Sequence, residues 1–431
     1  MLLATHSIHF RVHTRVLLTL LVACAIATAM WAQPPARELL RDANAALKAG
    51  DRRLALAKLE TARDLLPDYP RLHLQMARLH AASGDNAAAF ASLLKLADLG
   101  VAHDAANDAA LAPLHASPAW ADTVARFAAN TAPRGRAERT LTLPARDGII
   151  ETAVADSHGR WYFADVRNRC IGVREAVGTV RAFSSERDGL AGVFSLALDE
   201  THQRLWAGIS ATPEVKGYRA EENASAFLAE YDLQSAKLVR VLRLPEDGRT
   251  HVLGSLALAP DDTVFATDSG APCIWRVNPA DGSVASWLTS DDFASLQGLA
   301  FSADGKTLYV ADYARGIWAI DVATKAPLRL RAPAHATLFG IDDLRLASAS
   351  ALVAVQNGIE PQRVIRLDFD SAGEISAAHV LASALPGMDD LAGGWLREGR
   401  YVVVGNAGWS LFDAPGSAPA PRDVRLFSVI P

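Results

Sequence analysis

The sequence predicts an all-β six-bladed β-propeller preceded by an α-helical domain, and three observations predict it. After Ile149, short apolar runs separated by Asp, Gly, Asn and Pro turns replace helical periodicity. One strand–turn–strand–loop–strand pattern then returns six times, its second strands marked by Tyr162, Trp206, Phe265, Tyr309, Val353 and Val403, 44 to 59 residues apart. A period in the mid-forties with three or four strands per unit is that of propeller blades. Residues 36–130, by contrast, are rich in Ala, Leu and Arg, with apolar positions recurring at three and four, the spacing of amphipathic helices.

Length and composition agree with this division. A chain of 431 residues suits a small domain and a large one, and half of its residues are hydrophobic. A net charge of −5 without a basic block excludes binding to nucleic acid through clustered phosphate contacts. Three cysteines make no disulfide framework, and Cys170 and Cys273 fall in blades too far apart to bridge.

The N-terminus reads as an export signal. Residues 1–32 carry Arg11 and Arg15, then an apolar run from Val16 and a small-residue exit at Ala32, the three parts of a cleaved secretory leader. Leu21-Val22-Ala23-Cys24 also fits a lipoprotein box, so lipid anchoring through Cys24 stays open beside a periplasmic or secreted mature chain. No later segment is long and apolar enough to predict a membrane span.

Residues 36–130 repeat once. Ala49-Gly50-Asp51 returns as Ser83-Gly84-Asp85, 34 residues on, with Leu59 matching Leu93 and Leu65 matching Leu99. A 34-residue helix–turn–helix unit resembles the tetratricopeptide repeat, and the resemblance implies a groove for a protein partner. A helical extension packed on the second domain is the plainer alternative. Ser117-Pro118 starts a further helix with Trp120, Val124 and Phe127 on one face, and 131–137 reads as a linker. The propeller then occupies 138–431. Its last blade lacks an outer strand, and Thr140-Leu141-Thr142-Leu143 alternates like one, so the ring is expected to close there.

The run Gln297-Gly298-Leu299-Ala300-Phe301-Ser302-Ala303-Asp304-Gly305-Lys306-Thr307-Leu308-Tyr309-Val310-Ala311-Asp312, with Ile149-Ile150-Glu151 before the first blade, resembles the senescence-marker-protein/gluconolactonase/luciferin-regenerating-enzyme-like family. The residues entering the six innermost strands are expected at Glu151, Phe194, Gly254, Gln297, Asp342 and Asp390, beside the central channel. Oxygen ligands without Cys or His suit a hard divalent cation, calcium first. The resemblance implies Glu151, Gln297 and Asp342 as its ligands, with Gln297 standing where the family has Asn. It also implies hydrolysis of a lactone or ester, in which Asp342 or Asp390 acts as general base on water.

Two long loops, Ala211 to Ala226 and Ala407 to Asp423, are expected at the mouth of that channel as a partial lid. Phe194, Trp409 and Phe412 are then the candidate contacts to a small-molecule ligand in the channel. The alternative to a hydrolase is a non-catalytic scaffold that retains a ligand or a protein without turnover. Asp165, Asp268 and Asp312, which end second strands, are expected to bond the loops that follow. Asp368, Asp370 and Gly373 are expected to form a hairpin turn.

Overall fold

Glu138 to Val429 forms six antiparallel sheets; in the first four the strands run in chain order from the channel outward, and in the last two an earlier segment is added at the outer edge. The innermost strands are Ile150–Ala155, Gly192–Asp199, Leu253–Leu258, Leu296–Phe301, Ile341–Ser348 and Ala392–Arg397. The computed structural model describes residues 36–224, 226–412 and 419–431. The expected export signal with Cys24, and the tip of the sixth-blade loop at 413–418, lie outside the described residues.

The ring closes where the alternating segment predicted it. Glu138–Arg146 pairs with the last strand, Arg422–Val429, in the register Leu141↔Leu426, Thr142↔Arg425 and Leu143↔Val424. Strand alternation turns Leu141 and Leu143 to the same face, where both are buried. Between blades, the facing sheets interdigitate large side chains: Tyr162, Leu196 and Tyr231 join the first two, and Trp206, Leu256 and Trp275 the second and third.

The helices fall into two groups. Two compact units split between Leu66 and Pro67, within the segment 36–130. The first unit holds α1 (Ala36–Lys48) and α2 (Arg52–Leu65). Asp51 caps α2 by accepting from the backbone N–H of Leu54 at 2.9 Å, and Lys58 of α2 pairs with Asp42 of α1 at 3.0 Å.

The second unit begins with α3 (Pro70–Ser83), α4 (Asn86–Asp98) and α5 (Trp120–Asn130), followed by the propeller. Its start is fastened to the blades. Asp68 accepts from the Leu338 N–H and pairs with Arg329 at 3.3 Å, and the Tyr69 ring stacks on Phe339 at 4.4 Å. Ile359 joins the helical core of Leu93, Leu99 and Phe127. The expected linker also contributes structure, because Arg134–Gly135 adds a fifth strand to the fifth blade against Ser383 and Ala382.

Candidate functional site

Each innermost strand carries a β-bulge near its start. Pairing slips between Ile150 and Thr152, Val193 and Ser195, Leu253 and Ser255, Leu296 and Leu299, Ile341 and Asp343, and Ala392 and Gly394. A bulge leaves one residue out of the ladder and re-aims it. The bulged residues are Glu151, Phe194, Gly254, Gln297 (with Gly298), Asp342 and Gly393. Five of the six expected channel residues therefore stand at equivalent places, and in the sixth blade the place belongs to Gly393.

Asp390 lies three residues earlier, outside the strand. Its Oδ2 accepts from the Gly408 N–H at 2.7 Å and from the N–H and hydroxyl of Ser410 at 3.4 Å. These bonds hold the short helical turn Trp409–Leu411. Asp390 is thus a positioning residue for that turn, and the geometry gives it no contact with the channel cavity. The turn in turn aims Trp409, whose indole N–H donates to Glu151 Oε2.

Glu151, Thr152, Phe194, Asp342, Asp343 and Gly393 are among the residues around a cavity of about 20 Å³, room for roughly one water or ion. Three carboxylates share it with one guanidinium. Arg345 pairs with Asp343 at 2.9 Å, and Asp343 also accepts from the Tyr401 hydroxyl at 2.6 Å and the Gly394 N–H at 3.0 Å. Among the described residues, Glu151 and Asp342 have no such counterion. Burial, then the neighbouring Asp342, holds the Glu151 carboxyl well above the usual carboxylate range. Burial and then Asp343 push Asp342 up to about 7, against the pull of Asn357, whose Nδ2 donates to Asp342 Oδ2 at 2.8 Å.

Thr152 lines the cavity and Asn357 bonds Asp342 beside it. Thr152 Oγ1 and Asn357 Oδ1 are buried with no hydrogen-bond partner, and such orphans call for a water or an ion. Neither was singled out from the sequence. Gln297, expected as a ligand, is not among the cavity's walls. Its Nε2 lies 3.4 Å from Ser295 Oγ, and its Oε1 leans over Gly254, 2.8 Å from where a Cβ would stand. Among the described residues, no three His, Cys, Asp or Glu side chains gather as a metal centre. The cavity's uncompensated oxygens are instead mixed: the carboxylates of Glu151 and Asp342 and the hydroxyl of Thr152. All are hard oxygens, which fits calcium or another hard cation.

Above the cavity the two long loops meet. Phe194, Ile149, Val166, Val215 and Phe412 form one buried cluster, with Tyr218 and Trp409 packed against it. Phe194 and Trp409 lie 6.2 Å apart, and the Arg167 guanidinium sits 4.1 Å over Phe412. Arg167 also donates to the Glu214 carbonyl at 3.0 Å, which ties the second-blade loop to the first blade. Phe412 is only 8% exposed, so its ring is spent on the lid rather than on the cavity. The second-strand aspartates bond their loops as expected; Asp268 accepts from the N–H groups of Val252, Gly270 and Ala271, from Trp275 and from His251.

No protein-family model matches the chain, and no curated protein sequence matches it. Solved structures are similar to the chain at low identity. The PQQ-bound aldose sugar dehydrogenase from Streptomyces coelicolor is 14% identical, covering 69% of this chain and 99% of its own, with a TM-score of 0.48. A luciferin-regenerating enzyme is 13% identical over 70% of this chain and 96% of its own, TM-score 0.45. A putative gluconolactonase is 15% identical over 68% of this chain and 91% of its own, TM-score 0.44.

Proposed function

We propose that the channel cavity binds a divalent cation, calcium first, and that the protein hydrolyses a lactone or ester at the channel mouth. The observation that carries this reading is the pair of carboxylates without counterions, Glu151 and Asp342, beside the orphaned hydroxyl of Thr152. Two adjacent negative charges in a desolvated wall are costly unless protonated or paired with a cation. Glu151 and Asp342 would hold the cation, with Thr152 Oγ1 beside them and water completing its shell. When bound, it supplies Lewis-acid polarisation of a substrate carbonyl.

The chain's own groups supply the rest. Trp409 fixes the Glu151 carboxylate by donating to Oε2, and Asn357 fixes Asp342 in the same way. With one Asp342 oxygen held by Asn357, the other would accept the proton from the attacking water, which makes Asp342 the general base. Metal analysis of the purified mature chain, followed by a panel of lactones and aryl esters, tests the reading. Stoichiometric calcium with turnover that Asp342→Asn removes is expected; a metal-free protein that stays inert when calcium is added defeats it.

One observation favours a second reading, that of a non-catalytic binding scaffold. The cavity of about 20 Å³ takes an ion but no substrate, and the lid over it is closed by packed side chains. Hydrolysis therefore requires the lid to open, whereas ligand retention on the outer face of the lid does not. Calcium binding with small-molecule affinity and no turnover would select this reading. We further read residues 1–32 as an export signal and α1 to α4 as tetratricopeptide-like. Intact-mass analysis of the secreted or periplasmic product tests the first.

A further inference from the structure

A cleft of about 610 Å³ opens between the C-terminal end of α4, α5 and the outer strands of the fifth blade, far larger than the channel cavity. Arg126, Arg134 and Arg363 line it. Arg126 approaches Asp98 at 3.7 Å, but among the described residues no carboxylate forms an ion pair with Arg134 or Arg363. Arg363 is the more demanding, because it is only 6% exposed and buried guanidinium groups are rare without a counter-charge.

The polar contacts of Arg363 are neutral ones. Its Nε donates to Gln356 Oε1 at 2.6 Å, while Nη1 and Nη2 reach the carbonyls of Gly100 and Leu99 only at 3.4 Å. Those carbonyls follow the C-terminus of α4, where the helix dipole offsets part of the charge. The approach depends on a missing side chain, since a Cβ at Gly100 would lie 2.7 Å from Nη1. Burial, and then the charge of Arg134 nearby, bring Arg363 down to about 10. It remains cationic at neutral pH, and Arg134 and Arg363 repel each other across the same space.

We propose that this cleft binds a small organic molecule through an oxyanion head group, carboxylate or phosphate, seated between Arg134 and Arg363. Guanidinium forks match the oxygens of such groups. The apolar body lies along Ile365, Val380 and Ala129, which share the wall. The volume falls in the range of small-molecule sites and exceeds what a free inorganic ion needs. His335, held at a left-handed φ of 63°, stands at the same wall, and strained backbone of this kind gathers at ligand sites. The inference is independent of the channel cation.

The test is thermal unfolding of the mature chain with phenyl phosphate, benzoate, inorganic phosphate or sodium chloride at matched ionic strength. A saturable rise of several degrees with phenyl phosphate or benzoate, above inorganic phosphate and absent with chloride, is expected. The stronger of the two organic anions identifies the head group. Arg134→Gln, an exposed position, should melt like the parent without anion and lose the rise. An equal rise with inorganic phosphate, no rise with either organic anion, or a rise retained in Arg134→Gln overturns the proposal. In the last two cases Arg363 does no more than cap α4.

Discussion

Glu151 and Asp342 each hold a proton more tightly in the folded chain than in the unfolded one, because the channel wall desolvates both. Between the ordinary carboxylate range near pH 4 and about pH 7, the folded state therefore binds more protons than the unfolded state, and stability falls as pH rises. Each unit across that window is worth at most about 1.4 kcal/mol per group. Acids held low by their partners, such as Asp156, act in the opposite direction below this window, so the comparison is made against Asp342→Asn. In calcium-free buffer that variant should gain roughly 2–4 kcal/mol over the parent at pH 8 and little at pH 4.5. Equal denaturant midpoints of the two proteins at pH 8 would contradict it. A second prediction concerns Gly393, whose added Cβ would stand 3.1 Å from both Thr152 Oγ1 and the Glu151 carbonyl. Gly393→Ala should weaken calcium binding about tenfold by calorimetry while costing about 1 kcal/mol or less in stability. At this scale the sequence was legible where a residue's chemistry announced itself, as at Glu151 and Asp342. Asp390 was aligned with the channel residues, whereas the bulge of its strand falls three residues later at Gly393, because aligned repeats do not show a bulge. Thr152 and Asn357 went unread because hydroxyls and amides at strand ends ordinarily bond their own loops.

The closing strand and the lid carry the predictions at the scale of elements. Leu141 is 7% and Leu143 1% exposed, although they lie in a stretch that resembles a connection. Leu141→Asp with Leu143→Asp buries two unpaired charges and frees the edge of the sixth blade, which should cost several kcal/mol and promote aggregation. Unchanged melting and solubility would show that the ring does not depend on this seam. Shortening the loop between Ala211 and Ala226 removes Val215 and Tyr218 from the cluster over Phe194. That variant should keep calcium affinity but lose binding of whatever substrate the lactone and ester panel identifies; loss of both together would place the loop in the cation site itself. The elements were the most legible part of the sequence, since alternation and turn residues fix a strand locally. The fifth strand at Arg134–Gly135 was not, because two exposed residues carry no periodicity. Nor was the anion cleft, because a single arginine within a strand, such as Arg363, reads as a surface residue until its burial is known.

For the molecule as a whole, the six repeats predict the ring, whereas the division between Leu66 and Pro67 depends on contacts far apart in sequence. Asp68 with Arg329, and Tyr69 on Phe339, draw the second helix pair to the propeller, and no local pattern forecasts them. The seam between Glu138–Arg146 and Arg422–Val429 also has a temporal meaning. Glu138–Arg146, synthesised before every inner strand of the ring, is among the last to find its partner, because nearly the entire ring must be made in between. At typical rates of synthesis the wait is on the order of tens of seconds. During that interval the chain carries five blades with no closure, and Leu141 and Leu143 face water. A nascent chain of this kind is a natural client for a holding chaperone, and loss of the last eight residues of the seam would leave every molecule in that unfinished state.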